Sequence, residues 1–236
     1  MTADQLIQEL NALENPADAA FLQRFFKTGP GEYGEGDVFI GLRVPITRKV
    51  CKEFRQLPLQ EIEKVLESPV HEHRLAAVII MAERAKRADG QQKQALYELY
   101  LKRTDRLNNW DIIDVSCRDV VGGYLQDKSR EPLYQLARSN NMWERRIAIV
   151  STWQFIRAHD LSDTFAIATM LLGDTHDLIH KATGWMLREA GKKDEAQLVE
   201  FLEQHAATMP RTMLRYAIEK FPPQIRAEYL GRKSTA

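Results

Sequence analysis

Cysteine, net charge and long apolar runs are all scarce in this sequence of 236 residues. The two cysteines, Cys51 and Cys117, form no CxxC pair, which argues against a disulfide framework and a cysteine zinc site and fits a reducing cytoplasm. Lysine and arginine number 33, as do aspartate and glutamate, so no global field would draw the chain to nucleic acid or to an acidic membrane. Any nucleic-acid site must therefore be a local basic surface.

Signals for secretion or membrane insertion are also missing. No apolar run approaches the length of a membrane span, and the opening MTADQLIQELNAL has helical spacing without the basic region of a signal peptide. Hydrophobic residues make up 44% of the chain, enough for one large domain or two small ones. We therefore expect a globular, cytoplasmic protein that does not associate with membranes.

Helical periodicity runs from one end of the chain to the other, whereas strand signals are almost absent. Short breaks containing Pro, Gly, Asn or Asp separate the periodic segments. The pattern predicts an all-α protein with helices over residues 3–13, 16–27, 45–56, 71–87, 91–103, 109–126, 142–158, 161–172, 176–190, 194–206 and 210–220.

A repeat is visible within these helices. The segments HRLAAVIIM, NWDIIDVSC, ERRIAIVST, IHKATGWML and LRYAIEKF recur at intervals of roughly 33 to 37 residues, and each opens polar before turning apolar. This period is close to that of HEAT repeats. It predicts a single HEAT-like domain over residues 1–236, in which helix pairs stack into a solenoid with a concave surface.

One long segment, residues 28–44, does not fit the helical pattern. Glycines at positions 29, 31, 34 and 36, together with Pro30, exclude a helix and favour a flexible loop. Such a loop could cradle a phosphate, although a plain connector between helices is the more common outcome.

Two pairs of aromatic and charged residues stand out on the predicted helices. Trp110 and Asp114 are four residues apart and so share one helix face. Taken alone, this spacing favours a core tryptophan beside a surface aspartate. Lys181 and Trp185 repeat the arrangement in a later repeat, and two such pairs are harder to explain by packing alone.

Basic residues are concentrated at several places. Arg145 and Arg146 precede apolar residues of their helix, so we expect at least one of them to face the concave side, where its planar fork could bind a phosphate. Another group spans Arg43 to Arg55. Solvated faces would explain each group, but together they also permit a positive groove that meets DNA phosphates.

The histidine pairs favour no metal site. His176 and His180 have the spacing of an HExxH zinc motif, but aspartate replaces the glutamate and no third ligand follows at a recognisable distance. The HEH segment at residues 71–73 reads as a polar helix opening. We therefore predict that the protein needs neither metal nor cofactor.

Four motifs in order resemble those of the AlkD-type DNA alkylation-repair glycosylases: FFKTGPGEYGEGDVFIGLRVPITRK, NNWDIIDVS, MWERRIAIVSTW and HKATGWMLREAGK. The resemblance extends from about Phe25 to Lys192. It implies a C-shaped stack of HEAT-like repeats that holds duplex DNA and excises N3- and N7-alkylated purines from it.

The same resemblance implies the catalytic residues. The family's carboxylate and two tryptophans fall on Asp114, Trp110 and Trp185, whereas members can carry a further tryptophan where this chain has Asn109. An alkylated purine is cationic and leaves as a neutral base, so the carboxylate's task is to stabilise the oxocarbenium-like sugar. No lysine stands out as a Schiff-base nucleophile, which predicts a monofunctional enzyme.

DNA contacts follow in part from the resemblance. The family's cleft arginine falls on Arg146, with Arg145 as the neighbour that could be confused with it, and an aromatic contact falls on Phe25. Lys181 and Arg43 are further candidates for binding DNA. We expect a monomer, and the alternatives are a non-catalytic relative that binds branched or distorted DNA and a HEAT-like protein-interaction scaffold.

Overall fold

Helices dominate the computed structural model, which describes residues 1–232. Within that range, β pairing is limited to an isolated parallel bridge between Val38 and Val70. No helix in the same range is both long and apolar enough to cross a bilayer. The prediction of an all-α protein is confirmed, and the succession of helices is consistent with a helical-repeat fold.

The chain forms two compact units, residues 1–124 and the residues from 125 onward. Unit 1 contains α1 (Ala3–Asn11), α2 (Pro16–Phe25), α3 (Val44–Glu53), α4 (Leu59–Leu66), α5 (His71–Ala85), α6 (Gly90–Lys102) and α7 (Trp110–Asp114), with a 3-10 turn at Thr104–Arg106 and a π-helical turn at Arg118–Gly122. The short α8 (Gly123–Leu125) lies at the boundary. A single domain over residues 1–236 stays a prediction.

Unit 2 carries the later repeats. It contains α9 (Glu131–Ala137), α10 (Met142–Ser151), α11 (Trp153–Arg157), α12 (Ser162–Met170), α13 (Asp177–Gly191), α14 (Glu195–His205), α15 (Arg211–Ala217) and α16 (Pro223–Gly231). The first residues of α10 and α13 are fixed by side-chain caps, because Asn141 Oδ1 accepts from the amide of Trp143 and His176 Nδ1 from that of Leu178.

Three of these helices, α4, α9 and α16, are absent from the sequence prediction. Each is short, and each has proline at its start: Pro58 caps α4, Pro132 lies in the first turn of α9, and Pro222 caps α16. Proline in a sequence reads as a break, but at the first turn its missing amide donor costs the helix nothing.

Two of the long predicted helices are interrupted by hydroxyl side chains. The Ser116 hydroxyl donates to the carbonyl oxygen of Ile112 at 2.6 Å and is also 2.8 Å from the hydroxyl of Tyr100. The Thr152 hydroxyl likewise donates to the carbonyl oxygen of Ile149 at 2.7 Å. Such bonds back to the preceding turn bend helices, so residues 109–126 and 142–158 are each divided.

Helix α5 forms the centre of unit 1, where it packs against α3, α4, α7 and the π-helical turn. Cys51 on α3 is buried against it, with its thiol 3.6 Å from the carbonyl oxygen of Ala76. Burial raises the pKa of Cys51 to about 12. Cys117 is also fully buried, and neither cysteine is part of a disulfide.

Helix α13 has the corresponding position in unit 2, where it packs against α10, α14 and α15. Its approach to α15 is close at Gly184. A Cβ atom there would lie 2.4 Å from the carbonyl oxygen of Met213 and 2.6 Å from Cβ of Tyr216. The close packing therefore requires glycine one residue before Trp185.

The glycine-rich segment is tied to α5 by the buried carboxylate of Glu72. This carboxylate accepts hydrogen bonds from the backbone amides of Ile40, Gly41 and Leu42 at 2.8 to 3.2 Å. Gly41 has a φ of 86°, and a Cβ there would meet the carbonyl oxygen of Asn15 at 2.1 Å. These three amides therefore hold an internal anion, which argues against a phosphate cradle at this place in the segment.

Candidate functional site

Trp110 is the first residue of α7, and contacts to its backbone amide and to its indole ring both fix its position. Its amide donates to Oδ1 of Asn109, the capping residue, at 2.8 Å. Its indole stacks on Phe26, with ring centroids 5.2 Å apart, and indole Nε1 donates to the hydroxyl of Tyr33 at 3.3 Å. The side chain is half-buried, so Trp110 is packed on one side without being a wholly enclosed core residue.

Trp110 and Asp114 line the same cavity of about 440 Å³. A cavity of this size falls within the range of ligand pockets. Its walls are mostly aromatic and aliphatic, with a few charged side chains: Phe21, Leu22, Phe25, Phe26, Phe39, Leu42, Arg43, Val44, His71, Glu72, Leu75, Trp110, Asp111, Asp114 and Val115. We refer to it as the aromatic cavity.

The exposed side of the aromatic cavity carries two of the predicted DNA-binding residues. Phe25, at the end of α2, is 53% exposed and stacks on Phe21 with centroids 5.9 Å apart. The guanidinium of Arg43 lies 5.0 Å from the ring of Phe21 and pairs with Asp18. An exposed aromatic pair beside an arginine is suited to contact with bases and phosphates.

Beneath Trp110 lies a buried polar cluster that the sequence analysis missed. His71 Nδ1 is 3.2 Å from Oδ2 of Asp37, and Nε2 is 2.8 Å from Oδ2 of Asp111. Arg74 donates to Oδ1 of Asp37 at 2.6 Å. All four side chains are less than a tenth exposed. The cluster therefore joins the glycine-rich segment, α5 and α7 in one place.

The charges of this cluster shift the pKa values of its members. Burial alone would lower the pKa of His71, but Asp111 and Asp37 outweigh it and raise the value to about 9. Burial alone would raise the pKa of Asp37, but His71 and Arg74 hold it below its usual value. His71 belongs to the segment 71–73 that the sequence analysis interpreted as a polar helix opening, and Arg74 follows it directly. Polar residues opening an otherwise apolar helix were the available signal.

A second cavity of unit 1, of about 260 Å³, lies further along α3 and α5. Val44 and Leu75 line the aromatic cavity, and the next turns of the same two helices line this one. Its charged residues are mostly basic: Arg48, Lys52, Arg55, Glu83 and Arg87. This is a local basic surface of the kind that the balanced total charge requires for DNA binding.

In unit 2, neither Arg145 nor Arg146 is a solvated surface arginine. Arg146 is only 5% exposed, and its Nη1 donates to the carbonyl oxygen of Leu178 at 2.6 Å. Arg145 pairs with Asp174 at 2.6 Å and also donates to the carbonyl oxygen of Ser139. Arg146 thus joins α10 to the backbone of α13, and Arg145 joins α10 to the residues just before α13.

Helix α13 carries the remaining predicted site residues. Trp185 is half-buried and meets the ring of Trp153 edge to face, with centroids 5.1 Å apart. One turn earlier, the ammonium group of Lys181 lies 2.8 Å from the carboxylate of Asp177. The structure places Trp185 and Lys181 in unit 2, and Trp110 and Asp114 in unit 1.

His176 and His180 both form hydrogen bonds at the start of α13. His176 caps α13, and Nε2 of His180 is 2.5 Å from the carbonyl oxygen of Asp174. Burial lowers the pKa of His176. Over residues 1–232, no group of three His, Cys, Asp or Glu side chains is arranged to hold a metal ion.

Comparison with known proteins points to one family. The sequence model described as DNA alkylation repair enzyme matches residues 6–221. A solved structure, a predicted DNA alkylation repair enzyme from Enterococcus faecalis, superposes with a TM-score of 0.69 at 19% identity and covers 89% of this chain and 97% of that chain. No curated protein matches the sequence significantly.

Proposed function

The chain belongs to the DNA alkylation repair enzyme family, and we propose that it is a DNA glycosylase that excises N3- and N7-alkylated purines from duplex DNA. One observation carries the proposal: the carboxylate of Asp114 and the indole of Trp110 line a single aromatic cavity. The family implies repair of alkylated DNA, and a carboxylate beside an indole is suited to stabilising a cationic transition state.

The chemistry of the lesion explains why these groups suffice. An N3- or N7-alkylated purine is already cationic, so it leaves as a neutral base without a strong general acid. Positive charge then develops on the sugar, where a carboxylate such as Asp114 stabilises it and orients the attacking water. The indole face of Trp110 attracts the cationic sugar and base, and we assign attraction to cations to Trp185 as well.

Contact with the DNA backbone is assigned to basic residues around this site. Arg43 lies at the exposed side of the aromatic cavity, and Arg48 and Lys52 line the second cavity of unit 1, further along α3. In unit 2, we assign Arg146 and Lys181 to phosphates. Local clusters of this kind bind DNA electrostatically even though the whole chain carries no net charge.

We expect a monofunctional enzyme that leaves the DNA backbone uncut. Lyase chemistry needs an amine at the sugar, and among residues 1–232 no lysine lines the aromatic cavity. We further expect the protein to act as a monomer in the cytoplasm, with no cofactor. The absence of a disulfide between Cys51 and Cys117 is compatible with a reducing compartment.

Release of free base from defined duplexes tests the proposal. Purified protein is incubated with duplex oligonucleotides that contain N7-methylguanine or no lesion, and released base is measured by chromatography. We expect N7-methylguanine to be released from the first duplex and no base from the second. Binding to branched or lesion-containing DNA without release would contradict the proposal and favour a non-catalytic relative.

A further inference from the structure

We propose, building on the glycosylase function above, that His71 is a positioning residue: by bridging Asp37 and Asp111 it holds Trp110 and Asp114 in the geometry needed for excision. His71 itself is only 1% exposed and is not assigned any contact with the sugar or the base. Its effect on the reaction would pass through the first turn of α7.

The bridge requires both nitrogen atoms of the imidazole to donate. Each nitrogen faces a carboxylate oxygen, with 3.2 Å to Asp37 and 2.8 Å to Asp111. A neutral imidazole has one N–H group and could donate to only one of them, whereas an imidazolium donates to both. The raised pKa of His71, about 9, agrees with the protonated form at neutral pH.

Both sequence neighbours of Trp110 are tied to this bridge. On one side, Asp111 accepts from His71 through Oδ2 and from the amide of Ile112 through Oδ1 at 2.8 Å. On the other side, Asn109 caps the Trp110 amide and donates from Nδ2 to Asp37 at 3.4 Å. The first turn of α7 is therefore held at two points, and Asp114 lies one turn beyond them.

The ring of His71 also supports the aromatic wall of the cavity. It stacks on Phe39 with centroids 4.4 Å apart and lies 5.1 Å from Phe26. Phe26 in turn stacks on the indole of Trp110 at 5.2 Å. Loss of the imidazolium would thus loosen Trp110 through its backbone and through the ring beneath it. Displacements of about 1 Å at a reacting centre can cost about a hundredfold in rate.

The charges around His71 predict what its removal does. Asp37 and Asp111 face it, and Arg74 pairs with Asp37. His71→Gln would leave these two buried carboxylates with one cation, so a loss of stability is expected in addition to any loss of rate. A test must therefore separate the two effects.

His73 provides a matched control on the same helix. It is also a buried histidine at the start of α5, but its nitrogens face Ser68 and Asn11, at 2.8 and 2.9 Å, instead of the residues of α7. His73→Gln should therefore reduce stability without moving Trp110.

The experiment measures single-turnover excision of N7-methylguanine from a duplex oligonucleotide, beside DNA affinity and thermal melting, at a temperature where every variant is folded. We expect His71→Gln to lose about tenfold or more in excision rate, with affinity for the duplex changed by less than about threefold. His73→Gln should keep the parental rate. The indole N–H resonance of Trp110 should shift in His71→Gln and stay in place in His73→Gln.

A second variant keeps the test valid if His71→Gln does not fold. Asp111→Asn preserves His71 and weakens only its link to α7, and we expect the same selective loss of rate. A folded His71→Gln or Asp111→Asn protein with the parental rate would overturn the positioning role, as would an equal loss in His73→Gln. Absence of excision by the parent protein would instead refute the glycosylase function itself.

Discussion

Nη1 of Arg146 donates a hydrogen bond to the carbonyl oxygen of Leu178 at 2.6 Å, and thereby joins α10 to the first turn of the helix that carries Trp185. The arginine assigned to a phosphate is thus also part of the packing between these helices. Its neighbour Arg145 makes a comparable connection through Asp174. Any test of DNA binding must separate these two contributions.

Arg146→Ala is expected to weaken binding to damaged and undamaged duplex alike. The slope of log affinity against log salt should become shallower by about one, because one phosphate contact disappears. Arg145→Ala is the matched control: it loses the pair with Asp174 and should melt lower, but it should keep the parental slope. If the parent, Arg146→Ala and Arg145→Ala have equal salt slopes, Arg146 does not contact a DNA phosphate.

Asp114→Asn is expected to reduce the excision rate by about two orders of magnitude or more, since a charged group that stabilises the transition state is lost. Binding to undamaged duplex should change little, because the amide is nearly the same size as the carboxylate. Single-turnover excision and fluorescence anisotropy on the same duplex measure the two effects. Near-normal turnover would show that Asp114 has no part in the mechanism.

Trp110→Ala and Trp185→Ala are expected to reduce excision and the preference for alkylated DNA, while the salt slope stays unchanged. Both side chains are half-buried, and their assigned role is attraction to cations. Trp143 is the comparison, because it is only 8% exposed and its replacement by alanine should cost about 3 to 5 kcal/mol of stability. If the two site variants melt as low as Trp143→Ala and lose all DNA binding, their role is structural.

The stability of the protein should depend on pH through His71 and His73, because the pKa of His71 is raised and that of His73 is lowered. The pKa of His71 is about 9 in the folded state against an ordinary 6.5, so its contribution of about 3 kcal/mol is complete below 6.5 and is lost as the pH rises through 9. Burial and Arg74 lower the pKa of His73 to about 4. Its contribution is complete above 6.5 and is lost as the pH falls through 4.

Denaturant unfolding between about pH 4 and pH 10 checks these signs. Relative to the parent, His71→Gln should flatten the alkaline side of the stability curve, and His73→Gln should flatten the acid side. Parallel curves for all three proteins would contradict both assignments.

EDTA treatment followed by desalting is expected to leave excision unchanged. His176 and His180 use ring nitrogens for hydrogen bonds to Leu178 and Asp174 within their own helix start, and a zinc site needs three or four ligands. Metal analysis of the purified protein should find no stoichiometric zinc. Activity that is lost with EDTA and restored by zinc would overturn this expectation.

The sequence predicted those parts of the molecule that depend on local pattern. Helical periodicity located most helices, and motif order brought out Trp110 and Asp114, which do line one cavity. The spacing of these two residues alone favoured a core tryptophan beside a surface aspartate. The structure instead leaves Trp110 half-buried against Phe26.

What the sequence did not predict depends on contacts between distant residues. His71 and Asp111 are separated by 40 positions, and Tyr33 and Trp110 by 77. Helical periodicity does not predict contacts between residues so far apart in the sequence. The same limit applies to Glu72. Its carboxylate binds the backbone amides of Gly41 and its neighbours, and the sequence does not show this contact.

The burial of both cysteines has a consequence for their reaction with electrophiles such as methylating agents. Such electrophiles react with thiolates far faster than with thiols. Burial raises the pKa of Cys51 to about 12, so this residue is a thiol at neutral pH, and Cys117 is fully buried. We therefore expect methylating agents to modify Cys51 and Cys117 only slowly while the protein is folded.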